Sequence, residues 1–364
     1  MEHAWEPQKR LLVLCPFPHG GAPSQRFRFE QYLEAWQREG FEVVQAPFWD
    51  TDTMRVLHKP GATGRKMAGF ARGVVRQLRT VLARSSFDYV FVHLGAFAAG
   101  PPLVEAICML RGWRVIFDID DAIFLGRASG ANPLARLLRS GAYIEYVTKR
   151  ADKVVVVNPY LEAWARRLNS DVRLIPTTID PRYHRPPPQR SKNERVVLGW
   201  TGTFTTTVYL DVIRSALVEL QKERDFTLRV ICDVDPKFPE LRHYEFEKWK
   251  KETEIEDLWP IDVGLMPLAD WSVAKGKVGF KAIQYSALEI PSIVSDVGSG
   301  REVVDDEVTG LVVQNDTESW VRALKRLIDD ESLRRRLGNA AREKILSRYS
   351  VPAQEPAYCA LLRD

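Results

Sequence analysis

The sequence predicts an α/β protein with two Rossmann-like domains that face each other across a cleft. The chain has 364 residues, more than one ordinary hydrophobic core accommodates. Short apolar runs alternate with helical patterns, and most of these runs lack polar alternation, which is typical of parallel strands buried on both faces. The pattern restarts after a Pro-rich polar segment, residues 186–193, which is the predicted interdomain linker.

The N-terminal domain is predicted to span residues 1–185. Its first strand leads into a Gly-rich loop at 18–25 and then a helix at 26–40. Its strands are predicted within residues 11–17, 41–48, 89–95, 113–120, 153–158 and 172–176.

The C-terminal domain is predicted to span residues 194–349. Amphipathic helices separate and follow its strands, and a last helix at about 350–364 is expected to pack back on the N-terminal domain. Ligands bind at the carboxyl ends of parallel strands, which predicts a binding cleft between the two sheets. The strands are predicted within residues 195–202, 226–234, 261–268, 290–298 and 309–313.

Composition excludes several classes of protein. Hydrophobic residues make up 45% and charged residues 27%, which are the values of a globular chain. No apolar stretch approaches the roughly 20 residues of a membrane span, and the brief apolar run near the start is not expected to be a signal peptide. The four cysteines lie far apart, which favours reduced thiols and a cytoplasmic protein.

Charge differs between the two halves of the chain. Residues 1–185 hold 26 Lys and Arg against 18 Asp and Glu, a net charge of +8, whereas residues 186–364 have 26 against 30, a net charge of −4. The basic half suggests an anionic acceptor, a phosphate or a membrane surface. A nucleic-acid partner is not expected, because the sequence has no helix-turn-helix, zinc or RNP signature.

A Gly- and Lys-rich loop within residues 269–299 is the first candidate site. It runs from the end of a predicted strand into a helix that starts near Gly279, and backbone N–H groups at a helix start bind anions. Lys281 and Gln284 share a helix face, so lysines could hold phosphates while the Gln284 amide holds a ribose. The alternative is a solvated basic loop before an ordinary core helix. The candidate donor-binding residues here are Lys275, Lys277, Val278, Gly279, Lys281 and Gln284.

Each domain has a further Gly-containing loop directly after its first strand, and both loops are candidate sites. Gly202 and Thr203 lie in the loop 199–211, which offers close backbone approach, hydroxyl groups and a helix N-cap but no P-loop lysine. In the first domain Gly20 and Gly21 precede Arg26 and Arg28, a combination that suits a phosphate or an acidic sugar. The alternative for the loop 199–211 is a plain strand-to-helix turn. For Arg26 and Arg28 the alternative is ordinary surface charge.

Residues 260–313 closely resemble the nucleotide-binding half of family 4 glycosyltransferases, which have the GT-B fold. The likeness is greatest to the bacterial branch that makes cell-surface polysaccharides, and it extends over nearly the whole chain. That family has a Glu-x7-Glu pair before an ALGIP segment; aligning ALEIP (287–291) with it puts Gly276 and Gln284 at the two Glu positions. The family's Arg and Lys are also absent from the 202–207 loop. Lys277 and Lys281 are therefore expected to carry the charge that neutralises the diphosphate.

The resemblance implies a metal-independent, retaining glycosyltransferase of hexosyltransferase type. It would move a sugar from a nucleotide-diphospho-sugar, its co-substrate, to a hydroxyl of a glycan or lipid-linked acceptor, with no other cofactor. The leaving diphosphate gains negative charge, so cationic groups aimed at it supply much of the catalysis, and its oxygen takes the acceptor proton. The residues expected to be catalytic are Asp120, Lys277 and Lys281; Gly20, Gly21, Gly202 and Thr203 add to donor binding; and Arg26, Arg28, His93 and Asp121 bind the acceptor.

Asp118 and Asp120 admit competing interpretations. They resemble the opening motif of haloacid-dehalogenase-type phosphatases, although Ala122 stands where a Thr or Val is required, and also a metal-binding DxD. The glycosyltransferase interpretation lets Asp120 and Asp121 orient the acceptor or donor sugar, and a structural one makes Asp118 and Asp121 turn caps. The missing Glu pair suggests a further alternative, a nucleotide-sugar-binding protein without catalysis.

Residues 55–84 contain eight Lys and Arg and no Asp or Glu. Apolar residues recur between them at helical spacing: Met67, Phe70, Val74, Leu78 and Leu82. A basic amphipathic helix at 65–82 could lie on the inner face of the cell membrane, where a lipid-linked acceptor would be found. The alternative is that the apolar stripe packs in the core.

Overall fold

The computed structural model describes residues 9–57, 59, 61–97, 100–125, 141–189 and 193–363. The chain divides into two compact units. Unit 1 holds the residues up to Thr177 together with those from Gln354 on, and unit 2 runs from Thr178 to Ala353. Residues 190–192 of the predicted linker lie outside the described residues.

Unit 1 is built on a six-stranded sheet in the order β2-β1-β3-β4-β5-β6, with every neighbouring pair parallel. The central strands are buried almost throughout, as their unbroken apolar runs predicted. The strands are β1 (Lys9–Cys15), β2 (Phe41–Pro47), β3 (Tyr89–His93), β4 (Arg114–Ile119), β5 (Lys153–Val156) and β6 (Val172–Leu174).

The predicted helix at 26–40 is interrupted at Arg28. Arg28 has φ −115° and ψ −113°, outside the helical region, and a 3₁₀ helix, Phe29–Tyr32, starts after it. The break turns the Arg28 side chain into the interior of unit 1, where it is fully buried. The described helices of unit 1 are α1 (Pro23–Arg26), α2 (Leu33–Arg38), α3 (Thr51–Leu57), α4 (Thr63–Leu82), α5 (Leu103–Leu110), α6 (Gly141–Arg150) and α7 (Pro159–Ala165).

Helix α4 corresponds to the predicted basic helix, but its buried face differs from the predicted apolar stripe. The inward positions are Gly69, Gly73, Gln77 and Val81. A side chain at Gly69 would collide with Thr53, so the helix packs closely through its glycines. Met67 and Leu82, two members of the predicted stripe, are instead 68% and 63% exposed.

Unit 2 is built on a second six-stranded parallel sheet, in the order β12-β11-β10-β7-β8-β9. The edge strand β9 was not predicted, because its YEFEK sequence alternates aromatic and charged residues and lacks an apolar run. The strands are β7 (Val196–Thr201), β8 (Phe226–Cys232), β9 (Tyr244–Lys248), β10 (Val263–Met266), β11 (Ser292–Ser295) and β12 (Gly310–Val313). The two parallel sheets confirm the predicted α/β fold class.

Helices cover the sheet of unit 2, and Trp200, Leu217 and Trp320 are among the buried residues of its main core cluster. Residues from Gln354 on, within the last helix, belong to unit 1. The described helices are α8 (Asp211–Leu220), α9 (Ser272–Lys275), α10 (Phe280–Ala287), α11 (Gly300–Val303), α12 (Thr317–Asp329), α13 (Glu331–Arg348) and α14 (Val351–Ala360).

Candidate functional site

In unit 2, helix α10 is fixed against the end of β7 through Tyr285. The Tyr285 hydroxyl accepts a hydrogen bond from the Thr201 N–H at 3.0 Å and donates to the Gly199 carbonyl at 3.3 Å. Gly264 on β10 makes room for this ring, since a side chain there would overlap Tyr285. The two loops predicted to bind the donor, after β7 and before α10, therefore meet at the carboxyl edge of one sheet.

Lys281 lies in the first turn of α10, and its Nζ is 5.2 Å from the centre of the Trp200 ring. Burial lowers the pKa of Lys281 to about 8, and the nearby positive charge of Lys277 lowers it further. The ammonium group is thus still charged at neutral pH, but its burial is only partly offset by the aromatic face. A half-buried cation of this kind favours an anionic ligand beside it.

The loop before α10 is held by the turn that follows β11. Ser299 Oγ donates to the Lys277 carbonyl, and Gly279 adopts φ 73° as the N-cap of α10. A side chain at Gly279 would approach Ser299 Oγ to 3.1 Å, so both the backbone conformation and the available space favour glycine at this position. Val278 packs against a buried cluster, which leaves Lys277 as the half-buried cation of the loop.

Lys275 and Gln284 occupy different environments from their neighbours. Lys275 is exposed and forms an ion pair with Asp270 at 3.2 Å. Gln284 lies one turn after Lys281 on α10 and is 8% exposed.

Gly202 and Thr203 form the start of a 3₁₀ helix, Phe204–Leu210, with Thr203 as its N-cap. A side chain at Gly202 would collide with the Trp200 ring. The first N–H donors are already engaged: Thr203 donates to Thr206 Oγ1 at 3.1 Å, and Phe204 donates to the Asp233 carboxylate at 2.6 Å. Positive charge for an anion must therefore come from the lysines rather than from this helix start.

In unit 1, the Gly20–Gly21 loop is a tight turn in which Gly21 N–H donates to the Pro18 carbonyl at 2.9 Å. Gly20 has φ 70°, and its N–H donates to Glu30 Oε2 at 2.9 Å. The half-buried Arg26 stacks on the Phe27 ring at 4.8 Å. Glu30 thus puts a negative charge directly under the loop that was predicted to hold a phosphate.

Arg28, Asp118 and His93 form a fully buried charged cluster in unit 1. Arg28 pairs with Asp118 and donates from Nη1 to the Ile175 carbonyl at 2.6 Å, and His93 Nδ1 lies 2.6 Å from Asp118 Oδ2. Burial opposes ionisation of Asp118, but the positive charge of Arg28 and the hydrogen bond from His93 outweigh it and lower its pKa. Asp118 is therefore an ionised, structural carboxylate.

This cluster changes two sequence-based interpretations. Arg28 was expected beside the Gly20–Gly21 loop as an acceptor ligand, but its guanidinium lies in the interior. Asp118 was considered as a phosphatase nucleophile, yet it is fully buried and engaged by Arg28 and His93. The signal that could have predicted the cluster is an arginine between the apolar residues Phe27 and Phe29.

Asp120 and Asp121 follow β4 at the carboxyl edge of the sheet, and both are half-buried. Burial raises the pKa of Asp120, and the negative charges of Asp118 and Asp121 raise it further. The nearby His93 lowers this pKa but does not outweigh them. Asp121 Oδ1 accepts from the N–H of Ala122 at 2.8 Å, as a turn-capping carboxylate does. Of the predicted residues in unit 1, the structure groups His93, Asp120 and Asp121 in one polar region around Asp118.

The described residues contain no group of three or more His, Cys, Asp or Glu side chains arranged to hold a metal ion. In the same part of the chain, no helix combines the length and apolar character needed to cross a bilayer.

Comparisons with known proteins bear on the fold and on unit 2. Residues 187–344, most of unit 2, match the family model described as glycosyl transferases group 1. No curated protein sequence matches significantly. Sucrose-phosphate synthase from Thermosynechococcus elongatus is similar in structure, with a TM-score of 0.68 and 17% identity over 98% of each chain.

Two further solved structures show the same fold. A glycosyltransferase from Rickettsia africae has a TM-score of 0.69 and 12% identity over 98% of each chain. Anabaena HepE, solved with UDP and glucose, has a TM-score of 0.69 and 11% identity over 97% of this chain and 99% of its own. The chain has the two-domain α/β fold GT-B, and its residues 187–344 match the family model of the group 1 glycosyltransferases.

Proposed function

We propose that this protein is a retaining glycosyltransferase that transfers a sugar from a nucleotide-diphospho-sugar to a hydroxyl of a glycan or lipid-linked acceptor. The observation that carries the proposal is Lys281, a half-buried cation held against Trp200 within the matched domain. No carboxylate of the described residues pairs with Lys281. Burial of an unpaired charge is costly, and an anionic ligand such as a diphosphate would compensate it. The solved complex of HepE with UDP and glucose supports UDP-sugars as the first donors to test.

In this mechanism Lys281 and Lys277 neutralise the diphosphate as it leaves. Negative charge grows on the leaving group in the transition state, so preorganised cations lower the barrier more than they stabilise the bound substrate. The leaving phosphate oxygen takes the proton of the acceptor hydroxyl on the same face of the sugar. The lysines take the place of a metal ion, and Gln284 is proposed to hold the ribose.

In unit 1, Asp120 and Asp121 are proposed to orient hydroxyl groups of the sugar or the acceptor. Arg26 is proposed to contact an anionic acceptor, whereas the buried Arg28 would act only through Asp118. The acceptor class in question is a bacterial cell-surface glycan assembled in the cytoplasm or at the inner face of the membrane.

A two-step assay tests the function. Thermal shift against UDP-, GDP-, ADP- and dTDP-sugars identifies the donor, because a ligand bound only by the folded state raises its melting temperature. Transfer of labelled sugar from that donor to glycan and lipid-linked acceptors is then measured with and without a chelator. We expect transfer with retained anomeric configuration that survives chelation. Tight donor binding without transfer to any acceptor would instead favour a non-catalytic nucleotide-sugar-binding protein.

A membrane contact through 65–82 is part of this proposal. Helix α4 exposes Met67 and Leu82 as well as Arg65 and Arg79, so apolar and basic groups are available together. We expect the protein to float with anionic liposomes and to dissociate as salt rises, since each basic residue near an anionic surface contributes about 1 kcal/mol.

The matched variants for flotation change the same number of charges on each unit. Arg65→Gln, Arg79→Gln and Arg84→Gln together are expected to abolish binding to the liposomes. The control triple variant, Lys248→Gln, Lys250→Gln and Lys251→Gln, removes three lysines of unit 2 and is expected to float like the unmodified protein. Equal flotation of both triple variants, or none by the unmodified protein, contradicts the contact.

A further inference from the structure

The Trp200 side chain is held firmly near the carboxyl end of β7. It is fully buried in the main core cluster of unit 2. Gly202 packs directly against its six-membered ring, since a side chain at Gly202 would collide with that ring. Thr201 donates its N–H to the Tyr285 hydroxyl at 3.0 Å, which fixes the strand end to α10. The indole therefore has little freedom to move, and the ammonium group of Lys281 lies over it.

Lys281 has this ring where a buried lysine usually has a carboxylate partner. Its Nζ is 5.2 Å from the ring centre, within the range of a cation–π interaction. The titratable groups that act on Lys281 are Lys277 and Cys232. Lys277 is itself a cation, and burial raises the pKa of the Cys232 thiol to about 11, so neither supplies a negative charge at pH 7. Among the described residues, the Trp200 face is thus the group that stabilises the ammonium ion.

An aromatic face and a carboxylate stabilise a cation with different consequences for a ligand. A carboxylate cancels the charge of the ammonium group and repels an approaching phosphate. An indole attracts the cation through its quadrupole and has no net charge, so the positive charge stays available. An ammonium group has three N–H donors, and those directed away from the ring can bond to anionic oxygens. The pairing of Lys281 with Trp200 is therefore suited to an anion that binds and is released.

We propose that Trp200 is a positioning residue that holds the Lys281 ammonium group charged and in place for an anionic ligand. The inference rests on the proposed function, in which Lys281 neutralises the diphosphate of the donor. Trp200 is fully buried, so it acts through Lys281 rather than by touching the donor. Removal of its π face should leave the lysine in the site with a weaker hold on its proton.

The first test needs no activity. The pKa of Lys281 is measured by NMR from the ε-carbon of ¹³C-labelled lysine, and the Lys281 signal is the one that is absent in Lys281→Met. In the unmodified protein we expect a midpoint at about pH 8. In Trp200→Leu we expect the midpoint to fall by about one pH unit, because the cation–π interaction of a desolvated pair is lost. In Trp200→Phe the fall should be smaller, since phenylalanine keeps a weaker π face.

The matched control is Trp320→Leu. Trp320 is fully buried in the same core cluster and lies on α12, outside the candidate site. This variant loses the same side-chain volume, and its Lys281 midpoint should equal that of the unmodified protein. If Trp200→Leu does not fold, Trp200→Phe decides. A Lys281 midpoint in the Trp200 variants that equals or exceeds that of the unmodified protein overturns the proposal.

The second test uses transfer activity. The value of kcat/KM should fall at high pH as Lys281 loses its proton, and this basic limb should move to lower pH by about one unit in Trp200→Leu. It should stay in place in Trp320→Leu, because a loss of packing alone does not change the charge of Lys281. If the unmodified protein transfers no sugar, the proposed function fails and the Lys281 titration alone decides the role of Trp200. Activity with an unmoved limb in Trp200→Leu overturns that role and leaves the transferase proposal standing.

Discussion

Replacement of Lys281 by methionine is expected to abolish most sugar transfer and yet to stabilise the protein. Losing one donor to a developing negative charge lowers turnover by about 10²-fold or more. Methionine keeps the length of the side chain and its contact with the Trp200 ring, and it removes a charge whose burial is unfavourable. Lys277→Ala and Lys281→Ala are expected to show the same loss of turnover. Near-normal turnover in both alanine variants would contradict the proposal that these lysines neutralise the leaving diphosphate.

The pH dependence provides an internal check on Lys281. Its pKa is lowered to about 8 in the folded state, from 10.5 in the unfolded chain, so the unfolded chain binds more protons between these two values. The free energy of unfolding should therefore rise with pH across that window, and this rise should be smaller in Lys281→Met. In the free enzyme, kcat/KM should fall above about pH 8.

Urea unfolding at pH 7 and pH 9.5, with transfer measured in parallel, tests both effects of the Lys281 substitution. The exposed Lys250→Met serves as the stability control and should stay within about 0.5 kcal/mol of the unmodified protein. A Lys281→Met protein that is less stable at pH 7 would show that the ammonium group stabilises the fold, and the argument for an anionic ligand would be lost.

Asp118→Asn is expected to destabilise unit 1 by about 3–5 kcal/mol, the usual cost of removing one partner of a buried ion pair. The substitution keeps the shape of the side chain but leaves the Arg28 guanidinium charged, fully buried and without its counter-ion. Urea unfolding combined with hydrogen exchange of β4 measures the effect and locates it in unit 1.

The double variant Arg28→Met with Asp118→Leu should recover much of the stability lost in Asp118→Asn, because no unpaired charge stays buried. A stable Asp118→Asn protein that has lost magnesium-dependent phosphate release would revive the phosphatase interpretation. Phosphate release by the unmodified protein that survives chelation would dismiss that interpretation.

The strands of both sheets could be predicted from sequence because a strand buried on two faces is a continuous apolar run, as in LLVLC of β1. The edge strand β9 carries Glu245 and Glu247 on an alternating pattern, and only its pairing with β8 reveals it. The buried face of α4 could not be predicted from sequence either, because Gly69 and Gly73 become packing residues only where another segment comes close to them.

Part of the candidate site could also be predicted, because it too is encoded in a local sequence pattern. The spacing of glycines and lysines before α10 indicated a helix start with positive charge, and Gly279 is indeed its N-cap. The contact between Lys281 and the Trp200 ring joins residues far apart in sequence, so no local pattern contains it. The residues of the Arg28–Asp118 pair are 90 apart in sequence, so this pair could not be predicted from a local pattern either.

The return of residues 354–364 to unit 1 has a consequence for the order in which the chain matures on the ribosome. The Trp36 indole N–H donates to the Tyr358 carbonyl at 3.1 Å, and Tyr32 stacks on the Tyr358 ring at 3.8 Å between centres. These contacts cannot form until the whole of unit 2 has been translated. Until translation ends, nascent unit 1 therefore lacks part of its aromatic core, and apolar surface exposed in this way is prone to aggregation.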